Sequence, residues 1–103
     1  MQTEVVDRPQ QHRFEILADG QVAGFADYQL RGDSILFTHT EIDEAYEGKG
    51  LGSVLVKHAL ESARQRGLGV LPLCPFVRSW ISRHPDHLPL VPESARAEYH
   101  LPA

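Results

Sequence analysis

Three glycines alternate with other residues in the run Glu47-Gly48-Lys49-Gly50-Leu51-Gly52-Ser53. A strand-like run, residues 34–42, lies just before it, and a stretch of helical apolar periodicity begins within it. That order, strand then glycine loop then helix, constrains this chain more than any other feature. Glycine adopts positive φ and lets a ligand come close to the backbone. A helix start offers N–H groups without intrahelical acceptors, at the positive end of the helix dipole. Together they suit a phosphate or pyrophosphate. The loop is not a Walker A sequence, because no glycine stands five residues before Gly48-Lys49 and no Ser or Thr follows Lys49. Nor is it a dinucleotide fingerprint. Its spacing is G-x-G-x-G, and Pro72, Leu73 and Cys74 stand where an acidic ribose ligand would end the next strand. The plain alternative is a loop whose glycines only make turns.

The flanking pattern predicts the rest of the fold. Residues 13–18 carry Phe14 and Ile16 on one face, and Asp19-Gly20 is a two-residue hairpin signal. In residues 21–31, Ala26, Tyr28 and Leu30 point inward while Asp27, Gln29 and Arg31 point outward. Phe25 breaks that phase, which predicts a bulge near Gly24. Gly32-Asp33 turns into the third strand, 34–42, with Ile35 and Phe37 on one face. These strands make an antiparallel meander. A helix follows over 51–66 with an apolar stripe of Leu51, Val54, Leu55, Ala59, Leu60 and Ala63, stopped by Gly67. Residues 69–73 read as a buried strand parallel to 34–42, completing a strand–helix–strand crossover. A second helix spans 76–83 through Phe76, Val77, Trp80 and Ile81, and His84-Pro85 ends it. Residues 88–91 are expected as a short edge strand, and 1–11 and 92–103 as loose termini, the latter with at most one helical turn. The class is α/β (α+β), with two main helices.

At 103 residues the chain makes one domain, and 42% hydrophobic with 23% charged residues is ordinary globular composition. A net charge of −4 argues against a broad nucleic-acid surface. The single cysteine, Cys74, excludes an internal disulfide and suits a reducing compartment. No apolar run reaches the roughly 20 residues of a membrane span, and residues 1–11 lack the apolar centre of a signal peptide. The expectation is a soluble, cytoplasmic protein without membrane or nucleic-acid partners.

Ile42 followed by Tyr46-Glu47-Gly48-Lys49-Gly50-Leu51-Gly52 resembles the acetyl-CoA pyrophosphate loop of the GNAT acetyltransferase superfamily. The resemblance extends to a short, single-domain branch through His39-Thr40-Glu41-Ile42, Leu71-Pro72-Leu73-Cys74-Pro75-Phe76-Val77 and Arg83-His84-Pro85, in that order. It covers about residues 14–91. It implies a minimal GNAT-like fold in which backbone groups around Ile42 hold the pantetheine arm as an added strand. It also implies that the segment Glu47, Gly48, Lys49, Gly50, Leu51, Gly52 and Ser53 holds the diphosphate of acetyl-CoA. Glu47 stands where the superfamily usually has Arg or Gln, and Asp86-His87 where the branch usually has Glu-Tyr. Larger members insert helices where Asp19-Gly20 joins two strands directly, so the acceptor site is expected to be open.

Three residues are candidates for the chemistry. Cys74 lies at a helix start, where a thiol gains nucleophilicity, and could accept the acetyl group; a lone cysteine is also commonly a small buried hydrophobe. His39 and Glu41 are two apart on the third strand and share a face, so either could act as general base. The opposing reading is a half-exposed polar strand face. Arg78 and Arg83 could reach CoA phosphates or serve as solvated helix positions. A zinc site from Cys74, His84 and His87 lacks the short paired spacing of structural sites. The implied reaction is acetyl transfer from acetyl-CoA to an unidentified amine, directly or through Cys74. The competing classes are a non-catalytic CoA-binding or regulatory module and a nucleotide-binding module unrelated to CoA.

Overall fold

Asp19-Gly20 and Gly32-Asp33 turn the chain where the sequence puts them. Asp19 and Gly20 both hold positive φ (49° and 85°), the two-residue hairpin geometry that complements strand twist. In the computed structural model, which describes residues 1–102, the elements are β1 (Thr3–Arg8), β2 (Arg13–Ala18), β3 (Gln21–Arg31), β4 (Ser34–Ile42), α1 (Leu51–Gln65), β5 (Gly69–Pro72), α2 (Pro75–Arg83) and a short α3 (Glu93–Arg96). The sheet runs in the order β1-β2-β3-β4-β5. Its first four strands are antiparallel and β5 is parallel to β4. The meander, the glycine loop and the strand–helix–parallel strand unit follow the expected order.

The meander gains a strand. Residues 1–11 are not a loose arm, because β1 pairs along its whole length with β2, from Thr3 opposite Ala18 to Arg8 opposite Arg13. Its polarity hid it. Of its side chains, Val5 packs against the core, while polar groups make specific bonds instead. The Tyr28 hydroxyl donates to Asp7 Oδ1 at 2.6 Å. Burial pushes Tyr28 up to about 12, and the neighbouring Asp7 carboxylate adds to the effect. Glu15 is 4% exposed and accepts from Arg8 Nε at 3.1 Å and from Arg13 Nη2 at 2.6 Å. Burial raises its pKa, but the two guanidinium groups outweigh that and hold it below the ordinary value.

Two bulges set the faces. Register slips between β2 and β3 where Ile16 opposes Gly24 and Leu17 opposes Val22, leaving Ala23 as the extra residue beside the expected Gly24. Gly24 is required there: a Cβ would lie 2.6 Å from the Glu41 carbonyl oxygen and 2.5 Å from Ile42 Cδ1. A second slip, which sequence alternation does not reveal, falls between β3 and β4. Asp27 opposes His39 and Tyr28 opposes Phe37, so Thr38 is extra. Directly opposed residues share a sheet face. Ile35 and Phe37 therefore face the core, while beyond Thr38 the phase inverts. His39 and Glu41 join Asp27 and Phe25 on the opposite face, and Thr40 joins Ala26 on the core side.

α1 packs over β2, β3 and β4. Its stripe is rotated slightly from expectation: Val56 is fully buried and Val54 is exposed. Leu30 lies opposite Ile35 on the inward face, as expected, but beside the β3–β4 turn it is 51% exposed. α2 packs beside α1 and against β4 and β5 through Val77, Trp80 and Ile81. Phe76, expected on that apolar face, is 39% exposed. The expected edge strand at 88–91 is a 3₁₀ segment, Pro85–Leu90, because prolines at both 85 and 89 suit a tight helical turn and remove ladder donors. Residues 92–103 were expected to be loose; over the described residues they are not. Tyr99 and Leu101 are buried in the core cluster, and the Leu101 N–H bonds the Arg96 carbonyl at 2.8 Å. No helix among the described residues is long and apolar enough to cross a membrane.

Candidate active site

β5 is shorter than β4, and that mismatch opens the site. The parallel ladder ends with Phe37 opposite Pro72, and the Cys74 N–H makes the last tie to the Phe37 carbonyl at 2.8 Å. The chain then turns into α2. Residues 38–42 keep β3 on one side and have no strand partner on the other. Their backbone groups on that edge are open to an extended ligand arm.

The glycine loop closes the far end of this opening. Asp43 accepts a hydrogen bond from the Ala45 N–H at 2.9 Å and starts a 3₁₀ turn, Glu44–Tyr46. Gly48 and Gly50 then take positive φ (81° and 75°), and Gly50 is the N-cap of α1. No side chain caps the helix. Among the described residues, the N–H groups from Gly48 to Ser53 meet no acceptor outside the helix, and the first N–H to bond back along the chain is Val54, to the Gly50 carbonyl. These donors are therefore free for an anion. Gly52 has an ordinary φ, and its role is different. A Cβ there would sit 2.5 Å from Phe76 Cζ, so the absent side chain makes room for the ring.

A cleft of about 560 Å³ joins the open β4 edge to the loop. Of the residues singled out in the sequence, Glu41, Ile42, Glu47, Gly48, Gly50, Leu51, Gly52 and Ser53 line it together. Thr40, Tyr46, Phe76 and Arg83 complete the wall. Arg83 was a candidate phosphate contact from sequence; Phe76, though part of a segment that carries the resemblance, was not a site candidate, because helical periodicity assigned it to the core. Lys49, His39 and Cys74 do not line the cleft. Cys74 is 2% exposed, and its Sγ lies 3.3 Å from Thr40 Oγ1. His39 Nε2 stands 3.5 Å from Glu41 Oε1, both side chains being more than half exposed. Glu41 also borders a second depression of about 210 Å³, shared with Phe25, Asp43 and Arg13. It is thus the residue common to both hollows. Among the described residues, no group of three His, Cys, Asp or Glu side chains is placed to hold a metal ion.

An open strand edge, a row of free amides and a cleft between them lie together on one mixed sheet. The family profile described as GCN5-related N-acetyl-transferase matches residues 13–90, and the chain belongs to that family. Over 56 residues it is 41% identical to streptothricin acetyltransferase of Streptomyces lavendulae, which covers 52% of this chain and 30% of that protein. It thus spans under a third of the length of this curated relative. A GCN5-like protein from Staphylococcus aureus superposes over 85% of this chain and 86% of its own, with a TM-score of 0.67 and 20% identity, a likeness of fold. The ribosomal-protein-S18-alanine N-acetyltransferase from Escherichia coli superposes over 56% of this chain and 38% of its own, with a TM-score of 0.54 and 27% identity. The fold is the minimal mixed α/β arrangement expected from the sequence.

Proposed function

We propose that this protein transfers the acetyl group of acetyl-CoA to an amine, by direct attack on the thioester. One observation carries the reading: a single cleft connects the unpartnered edge at residues 40–42 to the glycine loop, whose N–H groups from Gly48 to Ser53 are free. The first suits an amide-bearing arm and the second a diphosphate. Acetyl-CoA, when bound, supplies the activated acetyl group. The chain supplies the rest. Glycine-loop amides anchor the diphosphate, backbone groups near Ile42 align the arm, and a backbone N–H on the open edge stabilises the oxyanion. Glu41 takes the proton from the attacking amine, with His39 beside it, directly or through water. Cys74 is buried behind Thr40 and does not itself line the cleft, which favours this route over an acetyl-cysteine intermediate. The two named relatives have different acceptors, streptothricin and a ribosomal-protein alanine.

A thermal-shift panel with acetyl-CoA, CoA, ATP and NAD tests the ligand. At about 100 times Kd, a ligand of the native state adds about 2.7 kcal/mol, or roughly 10 °C or more in Tm for a domain this size. A response to ATP or NAD but not CoA refutes the reading. Turnover against amines then separates an enzyme from a CoA-binding module, which would bind without reacting. Glu41→Gln is expected to lower kcat about 100-fold with little change in acetyl-CoA affinity. Cys74→Ser is expected to retain turnover within a few-fold, and its collapse would establish the covalent route instead.

A further inference from the structure

Trp80, on α2, donates its indole N–H to Ser53 Oγ, on α1, at 2.8 Å. Ser53 lines the cleft and Trp80 does not. The indole is 2% exposed and held on two sides. His84 stacks on it with ring centroids 3.8 Å apart and planes 11° apart. His84 Nδ1 lies 2.7 Å from the Trp80 carbonyl oxygen, which only accepts, so Nδ1 carries the proton. His87 meets the indole edge-on at 4.8 Å, and its Nε2 is anchored 3.0 Å from Glu61 Oε2. The direction of the indole N–H is therefore fixed by packing.

That direction decides what the serine hydroxyl can do. An indole N–H only donates, so Ser53 Oγ must accept from it and turn its own proton elsewhere. A serine inside a helix commonly bonds back to a carbonyl one turn earlier. Among the described residues Ser53 Oγ makes no such bond. Its O–H is left free to donate, and Ser53 lines the cleft; donation is the role an anion requires, because phosphate oxygens only accept.

We propose that Trp80 is a positioning residue for the coenzyme: it holds Ser53 as a hydroxyl donor aimed at the diphosphate of acetyl-CoA. This rests on the acetyl-CoA reading above. Trp80 touches no ligand itself. It acts on binding, through the orientation of one proton, and contributes nothing to the acyl-transfer step.

The test measures acetyl-CoA Kd by calorimetry and kcat/KM for acetyl-CoA and for S-acetylpantetheine, which lacks the diphosphate. Ser53→Ala, Trp80→Phe and the double variant are compared with the unaltered chain. Ser53→Ala is expected to weaken acetyl-CoA binding about tenfold, the effect of one hydrogen bond to a charged group. Trp80→Phe keeps an aromatic ring in the core and is expected to weaken it about fivefold. The double variant is expected to match Ser53→Ala, since the two act in series. In each variant the ratio of kcat/KM for acetyl-CoA to that for S-acetylpantetheine should fall in step with affinity. Equal losses with both substrates would mean general damage to the fold and overturn the proposal. So would multiplying effects in the double variant, or a Trp80→Phe variant that binds normally. Should Trp80→Phe fail to fold, the chain's one tryptophan gives a second readout. Its indole N–H resonance should move on adding acetyl-CoA and should lose most of that response in Ser53→Ala. A resonance indifferent to acetyl-CoA in the unaltered chain overturns the proposal while leaving the acetyl-CoA reading standing; absence of acetyl-CoA binding in that chain removes both.

Discussion

Replacing Gly52 with alanine should leave the fold nearly as stable while damaging the cleft. Gly52 lies in the first turn of α1 with an ordinary helical φ, so alanine is conformationally welcome and gains about 0.5–1 kcal/mol from lower chain entropy. The obstacle is Phe76. The new Cβ would stand 2.5 Å from Cζ and 3.2 and 3.3 Å from the two Cε atoms. Carbon atoms rest about 3.5–4.0 Å apart, so the ring tip must retreat by roughly 1 Å or more. In a closed core such crowding costs about 1–3 kcal/mol. Phe76 is 39% exposed and can tilt toward solvent, which puts the cost at the lower end. The two terms nearly cancel, and the net change is within about 1 kcal/mol, or no more than about 8 °C in Tm. The cleft has no such compensation, because Gly52 and Phe76 are both parts of its wall. A ring displaced by about 1 Å should weaken acetyl-CoA binding about tenfold, or about 1.4 kcal/mol. Calorimetric Kd and a melting scan on the same sample decide the matter. Unaltered affinity would refute the assignment of this wall to the coenzyme. A loss of more than about 2 kcal/mol in stability would refute the claim that Phe76 can yield. Adding Phe76→Leu should recover part of the loss, since the shorter side chain leaves room for the methyl group.

Tyr28→Phe tests the strand that sequence missed: loss of the 2.6 Å bond to Asp7 should cost about 1–2 kcal/mol in urea unfolding at pH 7. Its phenol is raised to about 12 in the folded chain, so the unfolded state ionises first and the unaltered protein should lose stability between about pH 10 and 12; a phenylalanine variant with the same alkaline slope would refute that assignment. Glu15 has the opposite sign: its folded pKa lies below the unfolded value, so its contribution is present above about pH 4.3 and fades as pH falls through the folded value. Glu15→Gln should therefore cost about 1–3 kcal/mol at pH 7, discounted for the partly exposed arginines, and the gap to the unaltered chain should narrow below pH 4. A constant gap across that range would mean the guanidinium groups do not set the carboxyl's pKa.

Much of this was legible locally. A two-residue Asp-Gly turn, the glycine stop after α1 and the proline after α2 are instructions carried by the residues themselves. They gave the order and approximate ends of β2, β3, β4, α1, β5 and α2. The phosphate-suited loop was equally local, since donors at a helix start need only glycine and a helix. β1 and the C-terminal segment were not legible, because their stability comes from partners distant in sequence. Asp7 needs Tyr28, Glu15 needs Arg8, and Tyr99 and Leu101 need a core built by the rest of the chain.

The sequence by itself determined a strand, a glycine loop and a helix in that order, and with them a helix start that no side chain caps. Tertiary structure alone decided which way the candidate residues His39 and Glu41 face. One extra residue, Thr38, inverts β4, so that His39 and Glu41 leave the face of Ile35 and Phe37. Side chains alternate strictly along a strand, and only the pairing with β3 reveals where that count slips. The early end of β5 likewise turns a strand edge into a cleft wall, a difference in length between two strands that neither carries in its own residues.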